Sequence, residues 1–386
     1  MKEQLGKNQS IARTMNNQLV LNELRAKPMS GTELASKLHL SNATVSSILR
    51  GLVQAEIIKI CPSERKEGKG RRRIDYYINQ SYGLVVVFSI TSFHSHPVIA
   101  NMLGETLYES DREIENYSLS TFEREIENVK EVLKRSAFVN VPVKSVVISL
   151  PGLVNQKTGK LQVSPQFDRD LFSDSQILSG LFEKAFSCPV TLENDTKLMM
   201  LAELSSGTFS KSESGLLAYV DYGIGGAFEF DGSLYWGARG YAGEIGRLVV
   251  KADGETHHLD DFASIRTIQK KISEKLNRNV PLSELFDLYE KKDEVVVKEV
   301  MQSAKALGKA FKEIIRVFDV DQFVISGSVK RFGQPYLSAV MEEVKDASED
   351  ATLSFSELGN YAILDGGKEL AISSVLSNSL KMLKNQ

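Results

Sequence analysis

Cysteine is scarce in this sequence, and so are long apolar runs. Only Cys61 and Cys188 are present; two are too few for a disulfide framework, and they lack the clustered spacing of a zinc site. Both read as packing residues. No apolar stretch approaches the ~20 residues of a membrane-crossing helix, and the opening "MKEQLGKNQSIARTMNNQ" lacks the apolar core of a secretory signal. The expectation is a cytoplasmic protein with no membrane partner. What is there is ordinary globular material: 386 residues, 42% hydrophobic and 25% charged, enough for two or three domains with their own cores.

Charge is uneven along the chain. Residues 1–80 carry 14 Lys and Arg against 7 Asp and Glu, a net of +7, and the remaining 306 carry 33 against 43, a net of −10. A basic segment joined to an acidic body suggests that the segment meets a polyanion and the body does not. Its internal order fits. Apolar residues recur at helical spacing from Met15 to Leu24, Pro28 and Gly31 break the pattern, and "TELASKLHL" starts a second helix behind Ser30 or Thr32. A third helix begins behind Ser41, with Val45, Ile48, Leu49 and Leu52 on one stripe. This is a helix-turn-helix pattern, whose second helix enters the major groove. Asn42, Thr44, Ser46, Ser47 and Arg50 are the candidate contacts to phosphates and base edges. The next segment reads as a hairpin, Ile57 to Ile60 and Ile74 to Ile78. Its tip crowds Arg65, Lys66, Lys69, Arg71, Arg72 and Arg73 around Gly68 and Gly70, as a wing reaching for phosphates or a minor groove needs. Residues 1–80 therefore read as a winged helix-turn-helix domain for a duplex DNA operator, acting as a homodimer or homotetramer.

Beyond residue 80 the texture is α/β: "GLVVVFSI", "PVIANML", "SVVISLPG", "LLAYVDYG" and "QFVISGS" read as buried strands between helical stretches such as 121–137 and 298–318. "VVISLPGLVNQKTGKL", "LENDTKLMMLAE", "YGIGGAFEFDGSLYWGARGYAGEIGRLVV" and "DVDQFVISGS" follow one another in a way that resembles the ROK family of sugar kinases and sugar-responsive repressors. The repressor branch also carries an N-terminal winged helix, so the resemblance covers nearly the whole chain. It implies an actin-like, ribonuclease-H-like pair of lobes over 81–386, with a sugar between them.

The resemblance also implies site residues. In the kinases the residue matching Asp195 is the general base on the sugar hydroxyl and the one matching Asn194 binds the sugar; the alternative is that Asp195 only caps a helix. Glu244 and Asp260 match further sugar contacts. Arg247 stands where zinc-containing members have a sugar-touching His, and it either pairs with Glu244 or Asp260 or meets an anionic ligand group. The three-Cys cluster of those members is missing, so no zinc site of the usual kind forms. Adjacent His257 and His258 read as solvated.

Three departures argue against phosphoryl transfer. Between Gly83 and Gly104 there is no Gly, Asp or Glu, although kinases of this type need both glycines and a carboxylate after the first strand. The second phosphate loop reads Asp221, Tyr222, Gly223, Ile224, Gly225, Gly226, Ala227, a carboxylate and a bulky ring where phosphate lies, so Gly223, Gly225 and Gly226 read as turn formers. The third is the substitution at Arg247. The expectation is a DNA-binding repressor of carbohydrate-utilisation genes, with Asn194, Asp195, Glu244, Arg247 and Asp260 around a carbohydrate effector, Asp195 a vestigial base, and Lys69, Arg71, Arg72 and Arg73 added to the DNA contacts. No metal and no cofactor are expected. An active ATP-dependent sugar kinase of the family is the alternative.

Overall fold

The structure, a computed structural model, describes residues 15–62, 74–91, 94–115, 117–135, 137–155, 157–158, 161–163, 175–206, 209, 213–252, 254–359 and 361–384. The chain forms two compact units. One comprises Met1–Ile148, Gln176–Leu192 and Gly367–Gln386, the other Ser149–Ser175 and Glu193–Gly366.

In the first unit, helices over 15–26, Gly31–Lys37 and Asn42–Gln54 bury Val20, Leu21, Leu24, Leu34, Val45, Ile48, Leu49 and Leu52. That is the stripe the spacing predicts. Ser30, not Thr32, caps the second helix. Its hydroxyl accepts from Glu33 N at 3.3 Å while the Glu33 carboxylate accepts from Ser30 N at 2.9 Å, a reciprocal capping box. Gly31 thus opens this helix instead of preceding it. Ser41 caps the third, accepting from Thr44 N at 3.1 Å. The hairpin strands are Ile58–Pro62 and Ile74–Ile78, antiparallel, and a two-residue strand, Met29–Ser30, adds a third to the sheet. Arg25 of the first helix forks onto Glu369 of the C-terminal helix, with N–O distances of 2.9 and 2.6 Å.

The main sheet of this unit has the order 190–194, 143–150, 84–90, 94–100, 106–109, with Arg112–Glu113 also pairing the strand His94–Ala100. Every residue of Leu84–Ile90 is buried, which is why that run is apolar but for Ser89 instead of alternating. Phe88, Phe122 and Phe182 meet above it, with ring centroids 4.9 and 6.2 Å apart.

The second unit repeats the order with different strands. Ser214–Val220, Ile224–Phe230 and Ser233–Tyr235 form an antiparallel meander. Gln322–Ser326 and Thr352–Phe355 then add in parallel beside Ser214–Val220. Two sheets of one strand order constitute the duplicated ribonuclease-H-like pattern of an actin-like fold. Helices Ile265–Lys275, Glu294–Phe318 and Gly333–Val344 pack one face of the second sheet through Phe311, Phe323, Phe332 and Tyr336. Among the described residues no helix is long and apolar enough to cross a membrane.

Candidate functional site

The acidic turn at 193–195 lies where the strand Val190–Asn194 ends and the helix Asp195–Ser206 begins. Asn194 is the cap. Its Oδ1 accepts from Thr196 N at 3.0 Å and Lys197 N at 3.3 Å, and its Nδ2 donates to Gly152 O at 2.9 Å, which fixes the amide. Asp195 sits one residue into the helix and accepts from Thr196 N at 2.7 Å and Thr196 Oγ1 at 3.3 Å, both through Oδ1. Burial pushes its carboxyl up to about 6, helped by the negative charge of Glu244 and opposed by the Thr196 donors. Glu193 is buried and accepts from Asn194 N at 2.8 Å. Desolvation lifts it to about 7 against the pull of Lys197.

The glycines explain how the other segments come so close. A Cβ on Gly225 would lie 2.4 Å from Thr196 Oγ1, and one on Gly243 would lie 2.0 Å from Gly226 O. The hairpin at 223–226 therefore presses its backbone against the start of the helix and against the 243–247 segment, and only glycine permits either contact. Asp260 Oδ1 accepts from Ile224 N at 2.7 Å, binding the next segment to the same hairpin.

Glu244 precedes the short 3-10 turn Ile245–Arg247, and burial raises its carboxyl above the usual range. Arg247 Nε is 3.4 Å from Glu244 Oε2, with the Arg side chain 67% exposed. Asp260 instead pairs with Arg266 at 3.3 Å. Arg247 thus pairs with Glu244 and not with Asp260. His258 Nδ1 lies 3.0 Å from Arg247 O and His257 packs its ring 5.2 Å from Phe262. Among the described residues no group of three or more His, Cys, Asp or Glu side chains is placed to hold a metal.

Two residues outside the expected set belong to this neighbourhood. Lys197 is the one Lys or Arg buried among the described residues. Its Nζ donates to Gly240 O and lies 5.7 Å from the Trp236 ring. Asp221, in the turn before Gly223, accepts from Ser328 N at 3.0 Å and Ser328 Oγ at 2.7 Å. Tyr219 also donates to that carboxylate, at 3.3 Å. A lysine directly before the largely apolar run "LMMLAEL" was the available signal for the first. For Asp221 the signal was the departure from glycine.

On the winged helix, Asn42, Ser46, Ser47 and Arg50 are exposed and Thr44 is partly so. The Thr44 hydroxyl is held 2.8 Å from Ser41 Oγ, and Arg50 Nε donates to Ser46 O at 3.3 Å. Arg65, Lys66, Lys69, Arg71, Arg72 and Arg73 lie outside the described residues.

The sequence profile of the ROK family matches residues 98–359, which is more than half of the chain. The chain belongs to the ROK family. Similar ROK proteins occur on both sides of the functional divide. The chain is 22% identical over 402 residues to the xylose repressor of Caldicellulosiruptor bescii, covering 96% of this chain and 98% of the relative. A ROK family transcriptional regulator described as a homolog of the Escherichia coli MLC protein superposes with a TM-score of 0.80, at 20% identity, over 97% of this chain and 98% of that one. The ROK hexokinase of Thermus thermophilus superposes with a TM-score of 0.62, at 24% identity, over 76% of this chain and 99% of the enzyme. These likenesses establish the ROK fold of the α/β part.

Proposed function

We propose that this ROK protein is a DNA-binding transcriptional regulator, a repressor of carbohydrate-utilisation genes, and that its 81–386 part binds a sugar as effector without phosphorylating it. Residues 1–80 read the operator through Asn42, Thr44, Ser46, Ser47 and Arg50, with Lys69, Arg71, Arg72 and Arg73 on the wing, in a cytoplasmic homo-oligomer. Asn194, Asp195, Glu244, Arg247 and Asp260 serve the carbohydrate. Carboxylates that accept paired hydroxyl donors suit a polyol, and their retention needs no catalysis. The full-length likeness to a xylose repressor supports the regulatory reading.

The observation that carries the non-enzymatic half is Asp221. Its carboxylate already takes the Ser328 amide and hydroxyl at the loop the resemblance gives to nucleotide phosphate. A phosphate there meets an anion and finds that amide donor used. The first loop offers no carboxylate or glycine in compensation. Incubating the purified protein with ATP, magnesium and a panel of sugars tests this. The expected result is no sugar phosphate above background and no change in melting temperature with ATP. Sugar phosphate that accumulates with the wild type and vanishes in Asp195→Asn restores the kinase reading.

A further inference from the structure

We infer that Lys197 is a positioning and specificity-determining residue of the effector site, one that ties the 236–244 segment to the helix start and biases the site toward uncharged polyhydroxy ligands. The inference rests on the effector reading above.

A lysine is rarely buried without a charge partner or a purpose. Among the described residues this protein buries one Lys or Arg, and it is here, 3% exposed, in the first turn of the helix that Asn194 caps. Its ammonium donates to Gly240 O, forty-three residues along the chain, and faces the Trp236 ring at 5.7 Å, so a single cation meets the segment at its start and at its middle. Burial works against its charged form and lowers its pKa, while Glu193 and Glu244 oppose that shift electrostatically. The neighbouring cations are more exposed: Arg247 pairs with Glu244, and Arg266 pairs with Asp260 and Asp261.

The consequence is a charge rule. With Lys197 present, the carboxylates of Glu193 and Glu244 are partly offset, and neutral hydroxyl groups suffice as their partners. Without it these carboxylates lose that offset, Glu244 keeping only the exposed Arg247, and the site favours a ligand that carries a positive charge of its own. Selection against amino sugars would then come from the protein's own ammonium occupying the cation's place.

Trp236 is the chain's single tryptophan, so its fluorescence reports on this site alone. Wild type, Lys197→Met and Lys197→Arg would be titrated with glucose, xylose, galactose and mannose, and with glucosamine, galactosamine and mannosamine, following Trp236 emission. Circular dichroism confirms the fold of each variant. In Lys197→Met, Trp236 emission shifts to the red and acrylamide quenching rises, because the segment is released. The affinity ratio of amino sugar to parent sugar rises at least tenfold. Lys197→Arg keeps the charge and keeps the wild-type ratio. A merely structural lysine lowers affinity for both sugar classes equally and leaves the ratio unmoved, which overturns the specificity role. Unchanged emission and quenching in a folded Lys197→Met overturn the positioning role. Silence of the wild type toward every sugar, with the fold intact, overturns the effector reading itself and this inference with it, whereas an unmoved ratio overturns this inference alone.

Discussion

Glu193 is buried beside Asn194 and the helix start, and its carboxyl is raised from the ordinary 4.5 to about 7, mainly by desolvation. The native state therefore binds its proton more tightly than the unfolded chain does. Its stabilising contribution is complete below about 4.5 and is lost as the pH climbs through 7. Glu193→Gln keeps the acceptor for Asn194 N and removes the charge, so at pH 8 it should be more stable than the wild type by on the order of 1–3 kcal/mol. The gain should shrink toward zero at pH 5, as urea denaturation at the two pH values will show. The reverse order, with the variant weaker at pH 8, would mean that Lys197 fully compensates the charge. At Asp195 the corresponding test is functional: Asp195→Ala should lose sugar-induced melting shifts and keep operator affinity. An Asp195→Ala protein that responds as the wild type does reduces Asp195 to a first-turn acid beside the Asn194 cap. Asp195 was legible because the motif "LENDTKLMMLAE" around it resembles that of the family. Lys197 was not, since its role comes from the Gly240 carbonyl and the Trp236 ring, which sequence order separates from it.

Helices and strands of the winged helix follow from capping and periodicity, and one ion pair ties the first helix to the last. Arg25 and Glu369 are 17% and 26% exposed and doubly hydrogen-bonded, a geometry stronger than an ordinary surface pair. Glu369→Ala strands a partly buried guanidinium and should cost about 1–3 kcal/mol, with faster amide exchange over residues 15–26. Unaltered exchange there would assign the anchoring to apolar contacts instead. On the DNA side, Arg71→Ala with Arg72→Ala should weaken operator binding and flatten the log-log salt dependence by roughly one to two units. Unaltered affinity at physiological salt removes the wing from the mechanism. The three helices were readable from stripes and caps at Ser30 and Ser41, within a residue or two at their ends. The strand Met29–Ser30 was not readable, because two residues carry no periodicity and their pairing with Asp75 and Tyr76 is long-range.

At the scale of the molecule, two units of one strand order carry different burdens. The second unit gathers Glu193, Asp195, Lys197, Asp221, Glu244 and Asp260 around the 223–226 hairpin. The first holds the winged helix and all but the first turn of the last helix. Strand texture revealed the α/β class. The return of the chain to the first unit at Gln176–Leu192 and Gly367–Gln386 was not visible, since buried strands of either unit have the same apolar composition. In the proposed function, sugar binding and DNA binding are two ends of one linked equilibrium that ATP does not enter. Fluorescence anisotropy of a labelled duplex from the promoter of the protein's own gene, titrated with the full chain against excess non-specific DNA, tests that claim most directly. The account predicts saturable binding whose midpoint is shifted at least tenfold by one neutral sugar, equally with and without ATP and magnesium. Binding indistinguishable from non-specific DNA, or a sugar effect that appears only when ATP is added, would contradict it.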